Sequence, residues 1–204
     1  VTGQIGTGKT TLSGLIAEEA ASSHHRKAAI FDADQVVQNL RSQDPEVQQQ
    51  LMAIVPEAQA PGEGTDTFNE ASFVAAVFDH MERLPQLETL LFPHVKTAAQ
   101  DFISKSKQSQ VTLVILDVPK LFESGLHDLC DKIVFTEASP QAQSSRVLAR
   151  PGMTPQRLQQ ILHHQKTILD NKANADFVIQ TDRDLGYTHT QLAEVLTQIL
   201  GAKK

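Results

Sequence analysis

Residues 3–10 read Gly-Gln-Ile-Gly-Thr-Gly-Lys-Thr and match the pattern G-x-x-x-x-G-K-[ST] at every fixed position. The glycines allow the backbone to curl until successive N–H groups point at phosphate oxygens. The helix that follows adds its own unpaired N–H groups and the positive end of its dipole. Lys9 can reach the β- and γ-phosphates, and the Thr10 hydroxyl can ligate Mg²⁺. The segment therefore predicts a strand–loop–helix unit that binds a nucleoside triphosphate.

Such a loop normally follows a buried central strand, and here only Val1 and Thr2 precede it. We therefore expect the sequence as given to begin inside that strand, with several apolar residues before it.

Composition limits the class of protein. With 204 residues, of which 40% are hydrophobic and 21% charged, the chain is typical of about one soluble globular domain. The net charge of −6 argues against a nucleic-acid duplex as partner. No apolar run reaches the roughly 20 residues that span a membrane, and no signal peptide is visible. The single Cys130 excludes an internal disulfide and is expected to be a small buried residue, so the cytoplasm is the expected compartment.

Apolar runs alternate with helical patterns along the chain. Strands are predicted at 28–31, 111–116, 132–136 and 177–179, and helices at 10–21, 36–40, 46–54 and 190–200. Ser139-Pro140 and Thr154-Pro155 each combine an N-cap hydroxyl with a proline at the first helical position, which predicts two more helices. Continuous apolar strands separated by helices predict an α/β fold of three layers, with a parallel central sheet covered on both faces, as in P-loop nucleoside-triphosphate hydrolases.

The middle of the chain differs in composition. Residues 56–67 are rich in Pro, Gly and acids and predict a loop. Residues 68–106 hold only helical patterns, which Pro85 and Pro93 are expected to break. We interpret the chain as a single P-loop domain, 1–204, in which 60–106 forms a helical substrate-binding insertion.

Three acids follow predicted strands. Asp32 and Asp34 come after one strand and Asp117 after another. Because the carboxyl ends of parallel strands open into the ligand crevice, all three are expected near the phosphate loop. Asp34 could accept the proton of an attacking hydroxyl, and Asp117 could hold Mg²⁺. The alternative is that these acids only cap helices, which is the preferred interpretation for Asp32.

Arg146 and Arg150 are four residues apart on the helix predicted from Ser139, so they are expected on one face. Guanidinium groups bind phosphate oxygens in pairs, and a lid over the nucleotide at about 139–166 would use both. Pro151-Gly152 would suit a lid hinge. The alternative is an exposed basic face. A GTPase is not favoured, because the Asn-Lys at residues 171–172 continues as Ala-Asn rather than as a guanine-binding signature.

Beyond the loop, the chain resembles the dephospho-coenzyme A kinase family over nearly its whole length. The shared segments are residues 2–11, Asp32-Ala33-Asp34, Leu116 to Leu126, Arg146-Val-Leu-Ala-Arg150, Gln165 and Ala175 to Ile179. The Asp-Val-Pro-x-Leu-Phe-Glu run at 117–123, followed by Arg-x-x-x-Arg, is far more specific than the phosphate loop.

The resemblance implies transfer of the γ-phosphate of ATP to the ribose 3′-hydroxyl of dephospho-coenzyme A. It assigns Gly6, Thr7, Gly8, Lys9, Thr10 and Thr11 to ATP, Asp34 to proton abstraction, and Arg146 and Arg150 to the lid. It also implies that residues 60–106 help to hold the coenzyme A precursor.

The sequence departs from the family in parts that handle the acceptor. Phe92 stands where the family usually has histidine, and Asn69-Glu70 where it often has Asp-Arg. Gln180-Thr181 replaces Asp-Asn after the last strand, and Lys120 replaces an apolar residue and could contact phosphate. Two alternatives stay open: a related kinase for a nucleoside, nucleotide or small hydroxy acid, and a regulatory protein that binds ATP without transferring phosphate.

Overall fold

The structure is a computed structural model and describes residues 1–60 and 67–201. Its α-helices are α1 (Lys9–His24), α2 (Ala33–Gln43), α3 (Pro45–Ile54), α4 (Glu70–Asp79), α5 (Leu84–Gln108), α6 (Pro140–Leu148), α7 (Pro155–His164), α8 (Lys166–Asp170) and α9 (Leu185–Leu200). Its strands are β1 (Ala28–Asp32), β2 (Leu113–Asp117), β3 (Val134–Glu137) and β4 (Phe177–Gln180). The loop predicted at 56–67 falls partly outside the described residues.

The strands pair in parallel, β1 with β2 and β3 with β4. Val1 and Thr2 lie between the two pairs. The Val1 nitrogen donates to Leu116 O at 2.7 Å, and the Thr2 nitrogen donates to Val134 O at 2.9 Å. The order across the sheet is therefore β1, β2, the Val1–Thr2 segment, β3 and β4, which places the phosphate loop at the centre of the sheet's carboxyl edge.

The chain divides into two compact units, Val1–Ala33 with Ala99–Lys204, and Asp34–Ala98. The first contains the sheet. On one face, Leu12 and Ile16 of α1 and Leu192 and Leu196 of α9 share a core with Ile115. On the other face, the rings of Phe31 and Phe102 lie 5.6 Å apart between centroids. Helices therefore cover both faces, as predicted.

The second unit is helical and has its own core. Its buried apolar residues come from α3, α4 and the first half of α5, and include Val47, Leu51, Phe73 and Leu87. Asn69 caps α4, because its side-chain oxygen accepts from Ser72 N at 2.9 Å. Glu70, the other residue that departs from the family at this point, forms an ion pair with Arg41 at 3.0 Å.

The four predicted strands are confirmed within two residues at each end, and both predicted N-caps are present. The Ser139 side chain accepts from Ala142 N in α6, and the Thr154 side chain accepts from Arg157 N in α7. The closing helix begins at Leu185, five residues before its predicted start, with Asp184 as its cap.

Two local predictions are wrong. Pro93 does not break a helix but lies inside α5, on its exposed side. A proline inside a helix lowers the stability of that helix by about 3 kcal/mol. Leu87, Leu91 and Val95 are buried on the opposite side of α5. Burial of each of these side chains stabilises the fold by about 1.5–3 kcal/mol, which offsets the cost. Arg150 does not belong to α6, which ends at Leu148. Arg150 directly precedes Pro151, and the proline ring disfavours helical geometry at the residue before it.

No helix in the described parts of the chain combines the length and the apolar character needed to cross a membrane.

Candidate active site

The phosphate loop has the backbone that its glycines predict. Gly6 and Gly8 have φ values of +76° and +85°, in the left-handed region that other residues rarely adopt. A Cβ on Gly6 would lie 2.6 Å from a methyl carbon of Val147, so α6 packs directly against the loop. Both the conformation and the space at this position therefore require glycine.

Side chains from distant parts of the chain hold the loop in shape. The Gln165 side-chain oxygen accepts from Ile5 N at 2.7 Å, and the Gln143 side-chain nitrogen donates to Ile5 O at 2.7 Å. Thr7 is buried, and its hydroxyl donates to Gln4 O at 2.8 Å. The loop is thus fixed by Gln143 of α6 and by Gln165, as well as by its own hydrogen bonds.

Lys9 is the first residue of α1, and its ammonium group donates to Gln4 O at 3.1 Å. This contact places the positive charge beside the backbone of the loop. A phosphate bound in the loop would meet this cation.

Asp117 ends β2 and is paired in register with Asp32 at the end of β1. Burial raises the pKa of Asp117, while a hydrogen bond from the Thr10 hydroxyl and the charge of Lys9 oppose that rise. Asp117 therefore lies beside Thr10 and Lys9, with Asp32 paired to it, and the convergence of all three acids with Asp34 stays a prediction.

Thr10 and Asp117 supply one hydroxyl and one carboxylate, both hard oxygen ligands suited to Mg²⁺. A buried carboxylate whose charged form is disfavoured would also gain from a cation beside it. Residues 1–60 and 67–201 contain no cluster of three or more His, Cys, Asp and Glu side chains arranged for a metal. Mg²⁺ usually takes one or two protein ligands and completes its shell with water and phosphate.

Arg146 lies on α6 and binds the loop directly. One guanidinium nitrogen donates to Gly6 O at 3.3 Å and to the Thr181 hydroxyl at 3.1 Å, and the other donates to Thr181 O. The cation is therefore already next to the phosphate-binding backbone.

Arg150 lies beyond the end of α6 but lines the same cavity as Arg146. The cavity has a volume of about 330 Å³ and is also bounded by Gly8, Thr11 and Arg183. The two arginines are thus brought together by the turn after the helix and not by one helical face.

Asp34 lies in the first turn of α2, at the start of the second unit. Its assignment as the base stays a prediction. Lys120, considered as a phosphate contact, has its ammonium nitrogen 2.8 Å from His164 Nε2 at the end of α7. Cys130 is a half-buried free thiol whose pKa is raised by burial, in line with an unreactive packing residue.

Three contacts in the site were not predicted from the residues themselves. Gln143 carried no sequence signal, and Gln165 appeared only through the family resemblance. Thr181 was noted as a departure from the family, without a role. Arg183, which lines the cavity and stacks on the Tyr187 ring at 4.4 Å, was also missed.

A phosphate loop at the centre of a parallel sheet, with arginines from a following helical segment beside it, defines the class of P-loop kinases. The model of the protein family described as dephospho-CoA kinase matches residues 1–186 of the chain. The chain belongs to the dephospho-CoA kinase family.

Individual relatives agree. A dephospho-CoA kinase of Brucella melitensis biotype 1 is 32% identical over 98% of this chain and 94% of its own length. One from Mesorhizobium japonicum is 31% identical over 100% of this chain and 96% of its own.

Two solved structures share the fold. TT1252 from Thermus thermophilus superposes with a TM-score of 0.75 at 22% identity, covering 98% of this chain and 96% of its own. The dephospho-CoA kinase from Campylobacter jejuni superposes with a TM-score of 0.59 at 18% identity, covering 97% and 94%.

Proposed function

We propose that this protein transfers the γ-phosphate of ATP to the 3′-hydroxyl of dephospho-coenzyme A, the last step of coenzyme A synthesis. The observation that carries the proposal is the grouping of Lys9, Arg146 and the Thr10–Asp117 pair around one phosphate loop. Membership of the dephospho-CoA kinase family supports the choice of acceptor.

On the nucleotide side, residues Gly6 to Thr11 enclose the phosphates of ATP. Backbone N–H groups and the Lys9 ammonium bind the β- and γ-phosphates. The Thr10 hydroxyl and the Asp117 carboxylate would hold Mg²⁺, which when bound neutralises phosphate charge and orients the transferred group. The cavity beside Arg150 and Arg183 has room for the nucleoside part of ATP.

On the acceptor side, Asp34 takes the proton of the attacking ribose hydroxyl. Its position two residues after Asp32, at the carboxyl end of β1, supports this role. Residues 60–106 contribute to binding of the acceptor, as the family resemblance implies.

Arg146 and Arg150 stabilise the negative charge that builds up during transfer. Residues 139–166 act as the lid that carries them, and Pro151-Gly152 is its hinge. The left-handed φ of +73° at Gly152 and the turn that separates α6 from α7 support this assignment.

The test is an acceptor panel with MgATP and purified protein. ADP release is measured with dephospho-coenzyme A, with nucleosides and nucleotides, and with small hydroxy acids. The proposal expects turnover with dephospho-coenzyme A at a kcat/KM at least about a hundredfold above any other acceptor, because a site built to bind polar groups of one substrate discriminates strongly against others. Preferred turnover of another acceptor would replace the proposal with the related-kinase alternative.

A regulatory role without transfer makes the opposite prediction. In that case ATP binds, no acceptor yields ADP, and Asp34→Asn changes nothing. ATP binding without ADP release from any acceptor, with Asp34→Asn behaving like the wild type, would therefore contradict a kinase.

A further inference from the structure

Thr181 joins three parts of the site through one hydroxyl group. Its Oγ1 lies 2.7 Å from Thr7 O in the phosphate loop and can donate to it. A second acceptor, Glu137 O at the end of β3, lies 3.2 Å from the same Oγ1. The same oxygen accepts from Arg146 at 3.1 Å. A threonine hydroxyl has one proton to donate and two lone pairs to accept with, so it can serve the loop and the arginine simultaneously.

The backbone around Thr181 is held in place independently of this hydroxyl. Thr181 N donates to Glu137 O at 2.9 Å. On either side, Gln180 N donates to the Gln191 side chain at 3.0 Å, and the Asp182 carboxylate accepts from Ser139 N at 3.0 Å. A substitution that removes only the hydroxyl therefore leaves the segment anchored.

We propose that Thr181 is a positioning residue that sets the guanidinium of Arg146 against the phosphate loop for phosphoryl transfer. The Thr181 carbonyl and hydroxyl oxygens each accept a hydrogen bond from the Arg146 guanidinium, and Gly6 O accepts a third. With both Thr181 acceptors on one side, the planar group is held in one orientation. The inference rests on the proposed lid role of Arg146 and adds a residue that the family resemblance does not assign.

Position 181 is also one of the departures of this sequence from the family. The family usually continues its last strand into Asp-Asn and a glycine, whereas this chain has Gln180-Thr181. The β-branched hydroxyl side chain fits against the loop, since a Cβ on Gly8 would lie 3.4 Å from Thr181 Oγ1. In this chain the hydroxyl at position 181 therefore supplies one of three contacts to Arg146, beside those to Thr181 O and Gly6 O.

The test compares Thr181→Val, Thr181→Ser and Thr197→Val. Valine keeps the shape of the side chain and removes only the hydrogen bonds of the hydroxyl group. Serine restores the hydroxyl. Thr197 is the matched control, because it is exposed on α9 and its hydroxyl only donates to Ala193 O at 2.8 Å. We expect Thr181→Val to lower kcat by about tenfold or more, as loss of a hydrogen bond to a charged group does. Thr181→Ser is expected to stay within about threefold of the wild type, and the control to be unchanged.

A structural role alone would give a different result in a double-mutant cycle. If Thr181 acts through Arg146, Thr181→Val has less than about a twofold further effect on single-turnover rate in an Arg146→Ala background. An equal loss in both backgrounds, or no loss of kcat in Thr181→Val, would overturn the proposal. Thermal unfolding identifies any variant that does not fold. If Thr181→Val does not fold, the kcat of Thr181→Ser is compared with that of the wild type instead.

The inference can fail separately from the proposed function. Absence of wild-type turnover with dephospho-coenzyme A would overturn the proposed function. The same cycle is then measured by the dissociation constant of a fluorescent ATP analogue. Non-additive weakening would support the link between Thr181 and Arg146, and additive weakening would contradict it.

Discussion

The hydroxyl of Thr10 lies beside the carboxylate of Asp117 and opposes the rise that burial causes in its pKa, although the two residues are far apart in sequence. One lies in the first turn of α1 and the other at the end of β2, so the contact depends on the central position of Val1 and Thr2 between β2 and β3. It brings together the two oxygen ligands proposed for Mg²⁺.

Replacing Asp117 by asparagine tests this pair as a metal site. The neutral amide is a weaker ligand for a hard cation, so Asp117→Asn should raise the Mg²⁺ concentration for half-maximal activity by at least about tenfold. Asp101→Asn, on the exposed side of α5, is the control and should leave the Mg²⁺ titration unchanged. Superposable titrations for the wild type and Asp117→Asn would remove Asp117 from the metal site.

The same substitution should stabilise the protein in the absence of metal. Because burial raises the pKa of Asp117, its charged form lowers the free energy of unfolding at neutral pH. This group's contribution is fully favourable below its ordinary pKa and is lost as pH rises through the raised one. In EDTA at pH 7, Asp117→Asn should therefore have a higher Tm than the wild type, and the difference should shrink as the pH is lowered to about 3. A lower Tm for Asp117→Asn at pH 7 would contradict the cause given for the shift.

Gly6→Ala tests the geometry of the loop. Its left-handed φ costs about 1–3 kcal/mol for a residue with a side chain, and the new Cβ meets Val147. We expect lower stability and ATP binding weakened by about tenfold or more. Gly14→Ala is the matched control, because Gly14 lies within α1 and a Cβ there meets nothing within 4 Å. That change should stabilise the protein by about 0.5–1 kcal/mol in urea unfolding. Gly6→Ala with wild-type affinity for ATP would disprove the requirement.

Removal of either arginine of the proposed lid should damage transfer severely. Loss of a charge-stabilising arginine in P-loop enzymes costs about 10³–10⁵ in rate, so Arg146→Ala and Arg150→Ala should each lower kcat on this scale. Arg26→Ala, in the exposed segment after α1, should leave kcat unchanged. Steady-state kinetics within a few-fold of the wild type for both lid variants would remove the assignment of the lid.

Asp34→Asn tests the proposed base. General-base catalysis contributes about 10²–10⁴ in rate, so kcat should fall by that factor while the dissociation constant of ATP stays near the wild-type value. Measuring both quantities separates loss of chemistry from loss of binding. A variant that keeps kcat, or that loses ATP binding in parallel, would assign Asp34 another role.

The parts of the structure that depend on short stretches of sequence were predicted well. The N-caps Ser139 and Thr154 and the apolar run of β2 are local signals, and the phosphate loop has a fixed residue at each functional position. Pro93 was misjudged because the cost of a proline is local, whereas the burial of Leu91 that offsets it is tertiary.

The supports of the site could not be predicted in the same way. Gln143 and Thr181 contact loop residues 138 and 174 positions away in sequence, and glutamine and threonine are common on surfaces. Nothing in the residues themselves distinguishes such contacts. Arg150 shows the same limit, because the turn that brings it to the cavity of Arg146 begins where helix periodicity ends.

The most direct test of the central claim is a single-turnover experiment with γ-labelled ATP, Mg²⁺ and dephospho-coenzyme A. The account predicts that the label appears in coenzyme A, on the ribose 3′-oxygen, and that Lys9→Ala abolishes the transfer. Lys27→Ala, whose ammonium binds Ser109 O at 2.9 Å before β1, should transfer label at the wild-type rate. Label released only as inorganic phosphate, or transferred equally by Lys9→Ala, would contradict the account.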